Sequence, residues 1–158
     1  MDPWKRAYDA LGHVGGAILA VMAGAVFLQV VGRFFGWALV DGLDELPRFL
    51  FVWLIMIGAA SAMQRGEHTV LDYFLNLMSP RWRALTMILT IGAGIGLFVY
   101  LIKLSFILVP NAQMQTSASL DLPLGYVFVA VPIGAVLIIL PMLRQLVRAF
   151  RDLWPKRS

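Results

Sequence analysis

The sequence predicts an all-α membrane protein with four transmembrane helices and both termini in the cytoplasm. Sixty percent of its 158 residues are hydrophobic and 14% are charged, whereas soluble domains carry about 25% charged residues. Four runs almost free of charge each approach the ~20 residues that cross ~30 Å of hydrocarbon. We therefore expect one membrane domain over residues 1–158, without a separate soluble domain.

The first predicted span covers residues 11–32. Lys5 and Arg6 precede it, and Ala23-Gly24-Ala25 resembles a signal-peptide cleavage site. The uncharged run is longer than the apolar core of a signal peptide, so the segment is interpreted as a spanning helix. Small residues recur every fourth position in this span, which lets another helix approach closely. They are Gly12, Gly16, Ala20 and Gly24.

The second predicted span, residues 44–64, begins with a cluster of charged residues. Asp44 can cap the helix, and acids favour its positive N-terminal end. Arg48 can pair with Asp44 or Glu45 at helical spacing. The alternative is a docking point for a periplasmic partner, because exposed charges steer association. Arg33, which ends the first span, is assigned to the same periplasmic edge, although it could be an ordinary interfacial anchor.

Six residues inside the spans are predicted to pack against a partner subunit. Trp53 lies too deep for an interfacial aromatic belt, so it packs in the core, faces lipid or fills a partner groove. The others are small residues of the second and third spans that permit close helix contact. The set is Trp53, Gly58, Ala59, Ala62, Gly92 and Gly96.

An amphipathic pattern between the second and third spans predicts a short interfacial helix at residues 69–79. The third span is expected at residues 84–103. Counting ~20 residues from Arg83 places Lys103 at the outer interface, where its ammonium group can reach water. A lysine deeper in the membrane would instead indicate a functional site.

The fourth span is expected at residues 122–143, with a kink at Pro132. Basic residues beyond it share one helical face and predict an anchor to anionic membrane lipid. The whole predicted cytoplasmic anchor is Arg65, His68, Trp82, Arg144, Arg148 and Arg151.

The basic residues also give the orientation. Ten of the 13 Lys and Arg residues lie at the two termini and in the second connection, which places those segments in the cytoplasm. The net charge of +4 is concentrated after the last span, so it indicates a membrane contact and no nucleic-acid partner.

Enzymatic and cofactor functions find little support in the residues. The chain has no cysteine, which excludes disulfides and thiolate sites. No catalytic set of side chains is apparent, so we expect no enzyme. His13 and His68 are the only histidines and lack an acidic second shell, so neither haem nor a metal is expected. The alternative function is a self-sufficient four-helix proton-coupled exporter, for which Glu45 is the nearest carboxylate.

Several short segments together resemble one family, the small membrane subunit (DctQ-like) of tripartite ATP-independent periplasmic (TRAP) transporters. They are QVVGRFF at 29–35, DELPR at 44–48, Trp53, GAA at 58–60, Arg65-Gly66, His68, QTSASLDLP at 115–123 and VPIG at 131–134. The resemblance runs from about residue 5 to 150, and Asp121 departs from the small or uncharged residue expected there.

The resemblance implies a multi-pass subunit of the bacterial inner membrane that scaffolds a large substrate-translocating subunit. It further implies contribution to docking of a periplasmic substrate-binding protein during sodium-coupled uptake of an organic acid. In that setting Arg33, Asp44, Glu45 and Arg48 are the candidate docking or edge residues. The substrate, the helix faces that meet the large subunit and the oligomeric state of the complex are not specified by the sequence.

Overall fold

A computed structural model describes residues 3–36, 44–65 and 79–153 of the chain. Helices make up almost all of these ranges: α1 (Pro3–Phe35), α2 (Glu45–Arg65), α3 (Pro80–Gln113), the short α4 (Gly125–Phe128) and α5 (Ala130–Leu153). Within the described ranges, four stretches are long and apolar enough to cross a membrane, namely Trp4–Phe35, Glu45–Arg65, Leu85–Gln113 and Gly125–Arg151. The predicted all-α, four-span class is confirmed. The orientation of the termini stays a prediction, as does the interfacial helix, which lies almost wholly outside the described residues.

Two helices extend well beyond the predicted spans. Helix α1 has 33 residues and begins at Pro3, and α3 has 34 residues and ends at Gln113, so each is about 50 Å long. A single Lys103 does not stop α3, because lysine is a good helix former. Pro3 and Pro80 start their helices because proline at the first helical position forgoes a backbone hydrogen bond that would not form there.

The helices pack in a row rather than in a closed bundle. Helix α1 packs on α2, α2 on α5 and α5 on α3. A third of the apolar stretch of α5 is buried, against 11% or less in the other three. Helix α5 is therefore the centre of the packing, while α1 and α3 flank the row and leave wide apolar faces exposed.

The core lies toward the end of the bundle where both termini are found. Its buried residues come from four helices: Tyr8, Ala60, Ile91, Ile138 and Met142. Close approach depends most on Gly134, where a Cβ would overlap the Cβ of Met56, whereas one at Gly94 would meet the flexible end of the Met142 side chain. These glycines face inward, where they bring neighbouring helices together.

Two prolines shape the last span. The helix is interrupted at Val129, three residues before Pro132, because proline has no N–H to bond the Phe128 carbonyl. Pro141 is fully buried inside α5 and leaves the Leu137 carbonyl without its helical donor. The Tyr8 hydroxyl of α1 donates to that carbonyl at 2.8 Å. A hydrogen bond between helices thus replaces the one that proline removes.

Candidate docking and packing surfaces

Glu45, the first residue of α2, holds the loop that connects α3 to α4. Its carboxylate accepts hydrogen bonds from the Ser117 hydroxyl and from the backbone N–H of Ser119, the latter at 3.2 Å. Ser117 is 5% exposed, and its hydroxyl oxygen also accepts from the Leu120 N–H at 3.3 Å. Hydrogen bonds to a charged acceptor are stronger than neutral ones. Glu45 therefore joins α2 to a loop more than 70 residues away in sequence.

The connecting loop folds back on itself beside Glu45. The Ser117 N–H donates to the Leu122 carbonyl and the Leu124 N–H to the Gln115 carbonyl, both at 2.9 Å. Asp121 takes a φ of 50° at the tip of this turn, in the left-handed region that Asp adopts more readily than most residues. The departure from the family pattern at Asp121 thus falls on the position where the turn needs such a conformation.

The other predicted edge residues lie at the same end of the bundle without joining this hydrogen-bonded unit. Arg33 and Arg48 are exposed. Asp44 is partly buried, and its Oδ1 is shielded from solvent without a hydrogen-bond partner among the described residues. The pairing considered for Arg48 does not form, because Glu45 bonds to the serines instead. In the part of the chain that the structure describes, Arg33 and Arg48 are therefore available at this end.

At the opposite end, aromatic and polar side chains clasp α1 to α2 and α5. The Trp4 indole donates to Gln64 Oε1 at 2.7 Å, and the Arg144 guanidinium lies 3.6 Å from the centroid of the Trp4 ring. Trp4 and Tyr8 rings pack at 4.9 Å between centroids. A cation on a Trp face is the most favourable such pairing. We name Trp4, Tyr8, Gln64 and Arg144 the terminal clasp.

Weaker contacts surround the terminal clasp. Arg65 pairs with Asp9 at 3.8 Å, with both side chains about half exposed, so the pair stabilises little. The Ser61 hydroxyl donates to the Tyr8 carbonyl at 3.3 Å, and the Gln145 amide to the Met63 carbonyl at 3.1 Å. Each of these contacts joins two of the three helices.

The predicted cytoplasmic anchor residues divide into two groups. Arg65 and Arg144 are engaged within the chain, as described above. Trp82 is 64% exposed, and Arg148 and Arg151 are exposed, so these three remain available to lipid. His68 lies outside the described residues.

The six predicted packing residues are largely exposed. Gly58, Gly92 and Gly96 have open space where a Cβ would stand. Ala59 and Ala62 are exposed and Trp53 is partly buried. Their assignment to a partner contact stays a prediction. A groove of about 300 Å³ between α1 and α2 runs past Gly12, Gly16, Gly58 and Ala62, so glycines from both helices meet at one surface.

Some residues that organise these surfaces were missed by the sequence analysis. Trp4 and Tyr8 stand four residues apart, as do Leu137 and Pro141. Each spacing places its two residues on one face of a helix. Only the fold shows that Tyr8 of the first pair contacts Leu137 of the second. Among residues 3–36, 44–65 and 79–153, no group of three His, Asp or Glu side chains could hold a metal ion.

Comparison with known proteins decides the family. The family model described as "Tripartite ATP-independent periplasmic transporters, DctQ component" matches residues 22–152. The chain belongs to this DctQ family. The resemblance found in the sequence is thereby confirmed, and the family is one of transporter membrane components rather than of enzymes. As a DctQ protein with four apolar spanning helices, it is a multi-pass protein of the inner membrane.

Curated relatives agree with the family. The chain is 31% identical over 119 residues to the C4-dicarboxylate TRAP transporter small permease protein DctQ of Rhodobacter capsulatus, which covers 73% of this chain and 50% of that protein. It is 32% identical over 74 residues to a putative TRAP transporter small permease protein of Haemophilus influenzae, covering 47% and 46%. The DctQ chain thus spans about half the length of these relatives.

A larger relative contains a similar segment. The sialic acid TRAP transporter permease protein SiaT of Haemophilus influenzae is 26% identical over 127 residues, which is 78% of this chain and 20% of that protein. A segment like this DctQ chain therefore occurs inside a much longer permease polypeptide.

Proposed function

We propose that this DctQ chain scaffolds a large substrate-translocating membrane subunit and contributes to docking of a periplasmic binding protein. The transport reaction we assign to the complex is sodium-coupled uptake of an organic acid. The observation that supports the scaffold role most directly is the exposure of large apolar side chains on both flanks of the helix row. Phe27 and Val30 of α1, and Leu89 and Phe106 of α3, are each 64% or more exposed.

The similarity to the SiaT permease supports a large membrane partner. In SiaT a segment similar to this chain is one fifth of a single permease polypeptide. Two open apolar flanks on the DctQ helices fit packing against the rest of such a permease. Packing in membranes relies on small residues that let backbones approach, and Gly92 and Gly96 stand on the α3 flank with open space around them.

The docking role is supported by the end of the bundle that holds Glu45. There the carboxylate fixes the loop by hydrogen bonds to Ser117 and Ser119, while Arg33 and Arg48 are exposed. A fixed loop beside exposed cations is a surface that can steer and orient a soluble partner. The exporter alternative is not favoured, because its mechanism needs a titratable carboxylate within the membrane and Glu45 is engaged at a helix end.

The substrate class follows from the relatives' names alone. One relative is named for C4-dicarboxylates and another for sialic acid, and both compounds are organic acids. We assign the same broad class to the complex of this chain, with the substrate bound by its partners.

The test is co-expression of the tagged chain with the large subunit, purification in mild detergent and reconstitution into liposomes with a binding protein. We expect a stoichiometric complex that takes up a labelled organic acid under an inward sodium gradient. Uptake should be lost when the DctQ chain is omitted. A chain that purifies alone, or a large subunit that transports equally well without it, would contradict the proposal.

Arg48→Ala tests the docking role separately. We expect slower uptake at limiting concentrations of binding protein, with an unchanged amount of complex in the membrane. Arg148→Ala, at the opposite end of the bundle, is the matched control. Equal rates for wild type and Arg48→Ala across all binding-protein concentrations would remove Arg48 from the docking surface.

A further inference from the structure

Lys103 lies level with the middle of α2, one of the helices long and apolar enough to cross a membrane. Helices α3 and α5 run antiparallel, since Gly94 lies against Met142 and Phe106 shares a cavity with Pro132. Lys103, between Gly94 and Phe106, is therefore level with the part of α5 around Gly134. Gly134 contacts Met56, which is close to the centre of the 21-residue helix α2.

This position is deeper than the sequence count placed it. Both ends of α2 are about 15 Å away along the bundle, which is farther than the four-carbon side chain of lysine extends. Lys103 is exposed on the surface of the chain, and it forms no ion pair within the described ranges. An unpaired cation at this depth is disfavoured in lipid and marks a functional position.

Lys103 stands on a helix face that is built for close contact. At 3.6 residues per turn, Gly92, Gly96 and Lys103 fall within a narrow sector of α3. Both glycines have open space around them. Leu89 and Phe106, which flank the sector, are 73% and 77% exposed. We name this surface, defined by Leu89, Gly92, Gly96, Lys103 and Phe106, the lysine face.

A cavity opens beside the lysine face. It measures about 200 Å³ and lies between α3 and the interrupted start of α5, where Phe106 and Pro110 face Val129 and Pro132. Its lining is almost entirely apolar. The volume is below the ~300 Å³ at which pockets for small molecules begin, and it suits a single apolar side chain from a neighbouring helix.

A second copy of this chain does not supply the missing charge. All nine Asp and Glu residues lie in connections, in the terminal segments or near helix ends, and none is found between residues 46–66 or 73–120. Lipid phosphates stay at the membrane surface, so they also fail to reach this level. The charge complement of Lys103 must come from a different polypeptide.

We propose that the lysine face docks a transmembrane helix of the large membrane subunit that places a carboxylate against Lys103. A bulky apolar side chain of the same helix occupies the cavity beside Phe106. This inference rests on the proposed scaffold function and names the surface and the chemistry of its partner. The glycines allow the two backbones to approach, and the ion pair fixes the depth at which the helices meet.

Photo-crosslinking locates the partner helix. A benzophenone amino acid is placed at Phe106 or, as the matched control, at the 53% exposed Phe150 near the end of α5, and the complex is irradiated in native membranes. We expect the Phe106 probe to crosslink to a membrane helix of the large subunit that contains Asp or Glu. Crosslinks from Phe106 only to lipid or to a second copy of the chain would overturn the inference. If the benzophenone variants still co-purify the large subunit, the proposed scaffold function stands even when the crosslink is absent. If the wild-type chain does not co-purify the large subunit, the scaffold function itself fails.

Substitution of Lys103 tests the charge. We expect Lys103→Met to lower the yield of co-purified large subunit about tenfold, a change of about 1.4 kcal/mol, and Lys103→Arg to retain most of it. Lys5→Met, which removes an exposed lysine at the start of α1, is the matched control and should have no effect. The amount of the chain itself should be unchanged in all three. A normal yield of complex with Lys103→Met would refute the ion pair.

Discussion

Glycines that face the other helices of the chain differ from glycines that face outward. Gly94 and Gly134 face inward, where Met142 and Met56 occupy the space that a side chain would need. Gly92 and Gly96 stand on the same helix as Gly94 but face outward into open space. The inward glycines therefore contribute to packing within the chain, whereas the outward glycines leave open the surface that we propose for the partner.

The largest effect is expected from filling an inward glycine. Gly134→Leu would press on the Cβ of Met56, which lies next to the backbone and cannot swing away. We expect a loss of about 3 kcal/mol of folding stability, measured by thermal unfolding of the purified chain in detergent. Gly92→Leu is the control, and an equal loss there would abolish the distinction between the two faces.

A smaller effect is expected at the Glu45 loop. Glu45→Ala removes the carboxylate that accepts two hydrogen bonds. Because the bond from the Ser119 N–H is exposed to solvent, we expect a loss of about 2 kcal/mol for the two together. We expect faster amide hydrogen exchange at residues 117–122, with unchanged exchange in the middle of α5. Arg48→Ala should leave this loop unaffected. Unaltered exchange at Ser119 in Glu45→Ala would show that the loop holds itself.

The terminal clasp should tolerate loss of a single hydroxyl at modest cost. Tyr8→Phe leaves the Leu137 carbonyl, already deprived of its helical donor by Pro141, without a partner. Hydrogen bonds between membrane helices contribute about 0.6–1.7 kcal/mol, so we expect a loss of about 1 kcal/mol on thermal unfolding. Tyr100→Phe, at a 63% exposed position, is the control. Identical stabilities would mean that the Leu137 carbonyl finds another donor.

The smallest effect is expected at the ion pair between α1 and α2. Asp9→Asn breaks a 3.8 Å contact between half-exposed side chains, and such pairs contribute about 0–1 kcal/mol. We expect a change in unfolding free energy below about 0.5 kcal/mol. A larger loss would show that Asp9 has a further role in the terminal clasp.

The four spans could be predicted from the sequence because hydropathy reports directly on the cost of placing a helix in lipid. The ends of α3 could not, since an isolated lysine interrupts the apolar pattern without interrupting the helix. Because α3 continues for ten residues beyond Lys103, this residue lies level with the middle of α2 and not at the interface where the sequence count placed it.

The small residues were recognised, but their direction was not. Spacing in the sequence places Gly92 and Gly96 on one face without showing whether that face meets α5 or the outside. The hydrogen bond between Tyr8 and Leu137 could not be predicted either, because it joins residues 129 positions apart. The sequence correctly placed Glu45 at the start of a helix. Its hydrogen bond with Ser117 could not be predicted, because only the fold brings the loop next to Glu45.

The most direct test of the account is to measure two properties of Gly96→Leu: thermal stability of the isolated chain and yield of large subunit after co-purification. We predict an unchanged stability, because the space at Gly96 is open, together with a marked loss of the large subunit. An undiminished complex would contradict the assignment of this face to assembly, and an unstable isolated chain would show that Gly96 belongs to the fold.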